Sequence, residues 1–570
     1  MGLFRDGDGK QRLGGTSAAL FVYAMEGLEN MSFVSIAVSL VIYFFGYMNF
    51  GLTKSANTLT NFMGTSFLLT LLGGFISDTY LSRFKTCVIF GCIELLGYIL
   101  LTLQASFPSW RPEPCHGLIT NQCKPAEGGQ AAILYAGLYM VALGTSGVKA
   151  ALPALGADQF DENDPRELPS LSSFFNWFLF SLSTGAAVGV TLVVWISTNQ
   201  GWEWGFGVCA VSILFAVSFL SMGRSSFRNN VPGGSALTRI LQVLVASVRN
   251  RRRPVPAMTD ELHEVDFGKE AGPNTELLQR TDQFGFLDRA AIATNPDGTP
   301  YATPPSSWWM CTVTQVEETK ILLRMVPIIL STVCMNVCLA QLQTFSVQQG
   351  TTMDTRIAGH FRIPSASLPI IPLVFMMLLI PIYDRIFVPL ARRLTGIPTG
   401  IRHLQRIGIG LVLAAISMAV AGFVERRRRS VAFEHGLVDS AAPLPVSVFW
   451  LSFQYGIFGA ADMFTLVGLL EFFYAESSAG MKSLSTAISW CSLGLGYFGS
   501  SVAVEVVNKV SAGWLAGNNL NRDRLDYFYW LLAGLSAVNF GIYLACASWY
   551  RHKKVDVKSL EKVEEKEVKV

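Results

Sequence analysis

Twelve stretches of this chain are apolar for long enough to cross a bilayer, and they fall into two groups of six. The hydrocarbon layer of a membrane is about 30 Å thick and takes about 20 apolar residues as a helix. No water is present there to satisfy backbone groups, so a single apolar segment has to close its own hydrogen bonds as an α-helix. The stretches lie near 18–45, 57–80, 86–106, 131–151, 172–198 and 204–222, then near 320–347, 367–390, 404–424, 446–474, 482–509 and 526–549. Charged residues make up 15% of the chain, where soluble domains carry about a quarter. An all-α membrane protein follows, with twelve transmembrane helices in two six-helix bundles, and no basic-aromatic nucleic-acid motif is present.

The expected units are residues 1–222 and 319–550 as the bundles, a hydrophilic linker at 223–318, and a charged tail at 551–570 without apolar periodicity, expected to be disordered. The polar segment 1–15 has no apolar core or cleavage site of a secretory signal, so the first apolar stretch is expected to be retained. Within the linker, Leu237, Ile240, Leu241, Leu244, Val245 and Val248 repeat at helical spacing, with Arg239, Gln242 and Arg249 on the other side. Such a helix lies on the membrane surface or packs against the bundle ends. Lys and Arg collect in the loops after stretches 2, 6 and 8 and in the tail, which places both termini in the cytoplasm. Arg426 to Arg429, after stretch 9, disagree.

Two carboxyls sit one turn apart inside the first stretch, in Ala24-Met25-Glu26-Gly27-Leu28-Glu29-Asn30. At i and i+3 they share a helix face, and intramembrane charges mark an ion or substrate path by default. The fourth stretch carries Lys149, an ammonium too costly at that depth without a partner. Glu26 or Glu29 is the expected one. Cys115 and Cys123 lie in a polar loop where a disulfide is open. No CxxC pair or His cluster suggests a metal, no nucleophile–base pairing suggests an enzyme, and no cofactor is implied.

The loop after stretch 2 reads Gly74-Phe75-Ile76-Ser77-Asp78-Thr79-Tyr80-Leu81-Ser82-Arg83, where Asp78 and Arg83 are suited to contacts made in one conformation and released in another. This loop resembles the signature of the major facilitator superfamily, and its spacing is closer to the proton-dependent oligopeptide transporter family. Phe174-Phe175-Asn176-Trp177-Phe178 is similar to that family's second signature, and Glu26 and Glu29 match its proton-coupling motif with Asn30 where a cation is usual. Lys149 matches its intramembrane lysine, and Asp462 stands where a Glu is usual. Local strings such as Glu29-Asn30-Met31 and Ala461-Asp462-Met463-Phe464 resemble the plant nitrate/peptide branch, in particular the subgroup with abscisic-acid and gibberellin carriers.

The resemblance implies a major facilitator fold in the plasma membrane, with Glu26 and Glu29 coupling protons and Asp78 and Arg83 gating. Lys149, Asp462, Phe175, Trp177, Gln341, Phe464 and Trp490 are then expected to bind substrate. The histidine of the family's nitrate carrier is replaced by Leu339, ahead of Gln341, which argues against tight nitrate binding. The expected activity is proton-coupled import of a small anion or carboxylate: abscisic acid, a gibberellin, or nitrate at low affinity. A di- or tripeptide symporter and a sensor that binds with little transport are the alternatives. The expected partners are the substrate, protons and the lipid bilayer, with the oligomeric state open.

Overall fold

A computed structural model describes residues 14–50, 52–113, 124–161, 167–228, 236–254, 262–264, 278–294, 306–358, 361–362, 367–397, 400–439, 443–478, 481–511, 514–515 and 520–552. Cys115, Cys123 and the tail beyond 552 lie outside these residues. Spans 1 to 6 are Gly15–Phe44, Thr58–Thr79, Arg83–Ser106, Gly129–Ala157, Leu168–Asn199 and Trp202–Ser226. Spans 7 to 12 are Val313–Thr352, Ile370–Thr395, His403–Glu434, Val448–Glu476, Lys482–Val510 and Leu525–Trp549. Twelve crossings return the chain to the side it began on. Residue 14, the linker and residue 552 therefore share one side, the linker side.

Each bundle has its own apolar core. The first joins residues such as Met25, Tyr98, Val141, Phe178 and Ile213, and it also takes in Met376, Ile380 and Trp490 from spans 8 and 11. The second runs through Met325, Leu411, Met418, Phe458 and Phe528. Large apolar side chains on the outer faces, among them Leu96, Leu192, Leu378 and Val538, are exposed. In water such a belt would be a liability, and in a bilayer it meets lipid of equal polarity.

Spans 2, 5 and 8 are among those that depart from regular helix. Span 2 is interrupted at Leu69, between helices Leu52–Leu68 and Thr70–Thr79. Spans 5 and 8 carry π-helical turns at Gly189–Val193 and Tyr383–Phe387. The second precedes Pro389, which has no N–H to give the carbonyl four residues back and whose ring crowds it, so the ladder widens there. Span 9, a helix of 32 residues, is about 48 Å long at 1.5 Å per residue and projects beyond the hydrocarbon. Its Arg428 and Arg429 are buried and paired with Glu425 and Asp526, each at 2.7 Å. Two of the four arginines that opposed the loop-charge pattern are thus internally neutralised.

The linker helix Ala236–Arg249 packs against the linker and the end of a bundle. Val243 and Ala246 are buried against Leu287, Ala290 and Ala291 of the linker itself, and Arg239 pairs with Glu318 of span 7 at 3.1 Å. Leu237, Leu241, Leu244 and Val248, a second stripe at i, i+4, i+7 and i+11, remain exposed. A buried cluster ties the linker to the second bundle: Lys320 reaches Asp288 at 2.6 Å and Glu317 at 2.7 Å, and Glu317 also takes Arg324 at 3.0 Å. Two short strand pairs complete the described structure, Met353–Asp354 with Leu444–Ser447 and Arg356–Ala358 with Phe361–Arg362.

Candidate functional site

Gly27, between the two carboxyls of span 1, sets their direction. Span 5 lies so close that a β-carbon on Gly185 would come within 2.9 Å of the Gly27 Cα, and one on Gly27 within 3.0 Å of Ser181 Oγ. With that face given to span 5, Glu26 and Glu29 point into the first bundle, and both are fully buried.

Glu29 is paired with Lys149 of span 4, Nζ to Oε2 at 3.0 Å, and Thr145, one turn earlier, donates its hydroxyl to the other oxygen. Lys149 also donates to the Asn30 side-chain carbonyl at 3.3 Å. The Asn30 amide in turn donates to Glu26 Oε1 at 2.7 Å. Asn30, the residue in place of the family's cation, is therefore a neutral bridge between the ammonium and the second carboxyl. The remaining oxygen of Glu26 has no hydrogen-bond partner. Removing one member of a buried ion pair costs about 3–5 kcal/mol because the other charge is stranded.

The ammonium also lies 4.9 Å from the Phe33 ring centroid and 5.5 Å from that of Trp490. Trp490 belongs to span 11, so the second bundle supplies one wall. Its indole N–H is buried and has no hydrogen-bond partner among the described residues. Asp462, on span 10, is half-buried and makes no ion pair or hydrogen bond among the described residues; it does not reach Lys149, which is held by Glu29. Phe464 packs edge-on against Tyr383, centroids 5.3 Å apart. Gln341 donates to Ser500 at 2.7 Å and keeps a free carbonyl oxygen.

Phe175 and Trp177 join a different group. On the linker side, Asp384 in the π-turn of span 8 accepts from Ser173 at 2.8 Å, Asn176 at 2.8 Å and Trp177 at 3.2 Å. Arg406 at the start of span 9 donates to Asn176 at 2.6 Å and to Glu471 of span 10 at 3.3 Å. Phe175 packs on Tyr474, which donates to Asp158 at 2.9 Å.

Asp78 and Arg83 build the matching latch. Asp78 accepts from the Leu484 backbone N–H at 2.8 Å, and Arg83 donates to Ser483 at 3.0 Å while pairing with Asp158. The two latches are equivalent parts of a repeat. Each has an aspartate on one span, an arginine at the start of the next and a carboxylate near the end of the span after, and each reaches a span of the other bundle (span 11 or span 5). This is what two parallel repeats related by an axis along the membrane normal produce. The sequence pointed to the first latch alone. An acidic residue within span 8 and a basic one opening span 9 were the signal for the second.

Glu94 of span 3 also escaped the sequence reading, although a single Glu in Gly91-Cys92-Ile93-Glu94-Leu95 is the same kind of signal as Glu26. It is fully buried beside the Glu29–Lys149 pair.

The sequence matches the family described as "POT family" over residues 84–519. It is 46% identical over 567 residues to "Protein NRT1/ PTR FAMILY 4.6" of Arabidopsis thaliana, covering 96% of each chain. It is likewise 46% identical over 547 residues to "Protein NRT1/ PTR FAMILY 4.5" of the same plant, covering 95% of this chain and 94% of the relative. In three dimensions it is similar to an "auto inhibited POT family peptide transporter", with a TM-score of 0.60 at 17% identity over 94% of this chain and 97% of that one. A POT family transporter "in complex with 5-aminolevulinic acid" gives a TM-score of 0.57 at 12% identity, over 93% and 96%. At such identities these structures speak for the major facilitator fold alone.

Proposed function

The chain belongs to the POT family of proton-coupled transporters, not to a family of enzymes, and from that premise we propose that it imports a small organic anion with protons. The observation that carries this reading is the Lys149 ammonium: buried, paired with Glu29, and walled by Phe33 and Trp490. A carboxylate entering from the far side competes for Lys149 and offers an acceptor to the free Trp490 N–H. Glu29, released from its cation in a dry site, takes a proton, since an unpaired buried carboxylate is far costlier than its neutral acid. Anion and proton are then bound together. Aromatic walls around one cation suit an amphipathic carboxylic acid of the abscisic-acid or gibberellin type better than a small hydrated anion such as nitrate.

In this reading the linker side is the cytoplasm and the membrane is the plasma membrane. The two latches then hold the cytoplasmic side shut, and the site is loaded from outside. Inward protons supply about 2.3 kcal/mol per charge per 100 mV, and no cofactor takes part. One observation favours a second reading. Asp462 makes no ion pair or hydrogen bond among the described residues, and a half-buried carboxylate without a cation suits the amino end of a zwitterion, so a di- or tripeptide would place its amino end there.

An uptake screen in proteoliposomes under an imposed pH gradient decides between them, using abscisic acid, a gibberellin, nitrate and a dipeptide. Accumulation of a hormone acid that collapses without the gradient supports the first reading, and accumulation of the dipeptide alone supports the second. Binding without flux or counterflow for all four would overturn both in favour of a sensor.

A further inference from the structure

We propose that Glu94 is a third proton-carrying carboxyl of this site, which trades its proton with Glu29 so that one carboxylate at a time answers to Lys149. The proposal deepens the coupling role given above to Glu29 and Lys149, and rests on it.

Glu94 is fully buried, and neither of its carboxyl oxygens has a hydrogen-bond partner. Three elements fix its place. Span 4 crosses at Gly144, where a β-carbon would stand 2.5 Å from the Glu94 backbone nitrogen. The next residue, Thr145, is the one that donates to Glu29. Gly91, one turn before Glu94, faces the Met25 methyl of span 1 at 3.4 Å from such a β-carbon. The charged groups facing Glu94 are Glu29 and Glu26 of span 1 and Lys149 of span 4. Tyr98 of its own helix and Cys209 of span 6 complete the titratable neighbours, and the Tyr98 hydroxyl is also unpartnered.

Three carboxyls thus share one ammonium. Ionised together they would leave two uncompensated negative charges in a dry interior, each costing several kcal/mol after relaxation. Glu29 has both an ion pair and a hydroxyl donor, and Glu26 has the Asn30 amide. Glu94 has no donor among the described residues, so it holds a proton in the latched state. When a movement of span 11, whose Trp490 walls the ammonium, frees Lys149 from Glu29, one proton passes from Glu94 to Glu29. The ion pair moves from Glu29–Lys149 to Glu94–Lys149, and the charge of the site is unchanged.

Infrared difference spectroscopy tests this without any substrate, on the full chain in lipid vesicles. At neutral pH the wild type shows carbonyl stretches from protonated carboxyls, and Glu94→Gln removes one of them while leaving the melting temperature unchanged, since the amide has the shape of the neutral acid. In Glu29→Gln, where Lys149 is released, the Glu94 stretch disappears at the same pH because Glu94 now pairs as a carboxylate. If destabilisation obscures the first variant, Glu94→Asp moves the band in place of deleting it. The proposal is overturned if Glu94→Gln leaves every protonated-carboxyl band intact, or if Glu29→Gln leaves the Glu94 band at full amplitude. Failure of the substrate reading is separate: it shows as transport indifferent to Lys149→Ala, with these bands still in place.

Discussion

Arg406 reaches from the second bundle to the Asn176 side-chain carbonyl of the first at 2.6 Å. That bond links the helix 5 signature to a latch made of Asp384, Arg406 and Glu471, and it gives a mechanical reason for an asparagine at this place. Asn176 donates to Asp384 with one end of its amide and accepts from Arg406 with the other.

Deleting the centre of this latch shifts the balance between conformations. Asp384→Ala strands three donors, and a hydrogen bond to a charged group is worth about 1.5–3 kcal/mol. The population open on the linker side is expected to rise roughly tenfold or more. Spin labels at Tyr80 and Leu394, exposed ends of spans 2 and 8, read this as a longer distance. An unchanged distance distribution would mean the first latch alone keeps the side closed.

Lys149→Ala is expected to raise the apparent KM for an anionic substrate by roughly tenfold or more, the worth of a charge-assisted hydrogen bond. A neutral analogue is affected little. Glu29→Gln is expected to abolish accumulation driven by a pH gradient while counterflow exchange persists. Full accumulation in Glu29→Gln would remove that residue from the coupling scheme.

Asn30→Lys puts a second cation where Asn30 now bridges Lys149 and Glu26. In that background Lys149→Ala should cost less than in the wild type, a coupling between the two changes of about 1 kcal/mol or more on a double-mutant cycle. Strict additivity of the two KM changes would show that Asn30 and Lys149 act on separate partners.

The exposed stripe of the linker helix is expected to touch lipid. Trp at Leu241 or Leu244 should be quenched by brominated lipids, and Trp at Gln242 should not. Equal quenching at all three positions would place the helix off the membrane.

His552, just past span 12, is hydrogen-bonded to Glu476 at 2.5 Å, and that bond holds its pKa above the usual 6.5. The folded state therefore binds the proton more tightly than the unfolded one. The stabilisation is fully present below 6.5 and is lost as pH rises through the raised value. His552→Gln should lower the melting temperature at about pH 5.5 and leave it unchanged at about pH 9. A deficit that is the same at both pH values would contradict the titration.

Much of this was legible in order along the chain. Apolar length alone gives the spans, because a lone segment in lipid has one way to satisfy its backbone. Glu26, Glu29 and Lys149 stand out for the same reason. Asp384, Arg406 and Glu471 do not, because their partners are brought to them by the fold: Arg406 meets Asn176 across 230 positions. Only the folded repeat shows them to be the counterpart of Asp78, Arg83 and Asp158. The double role of Asn30 depends on a ring of three side chains from two spans, which no spacing rule contains.

The near-contact of Gly27 with Gly185 has a consequence for how such a carrier diversifies. Helices whose backbones touch slide poorly past each other, so the carboxyls of span 1 ride with span 5 as fixed cargo of the first bundle. The wall that faces their ammonium, Trp490, comes from the other bundle. The two are thus on separate bodies. A lineage can refit the facing wall, one side chain at a time, and leave the carboxyls of span 1 and their ammonium untouched.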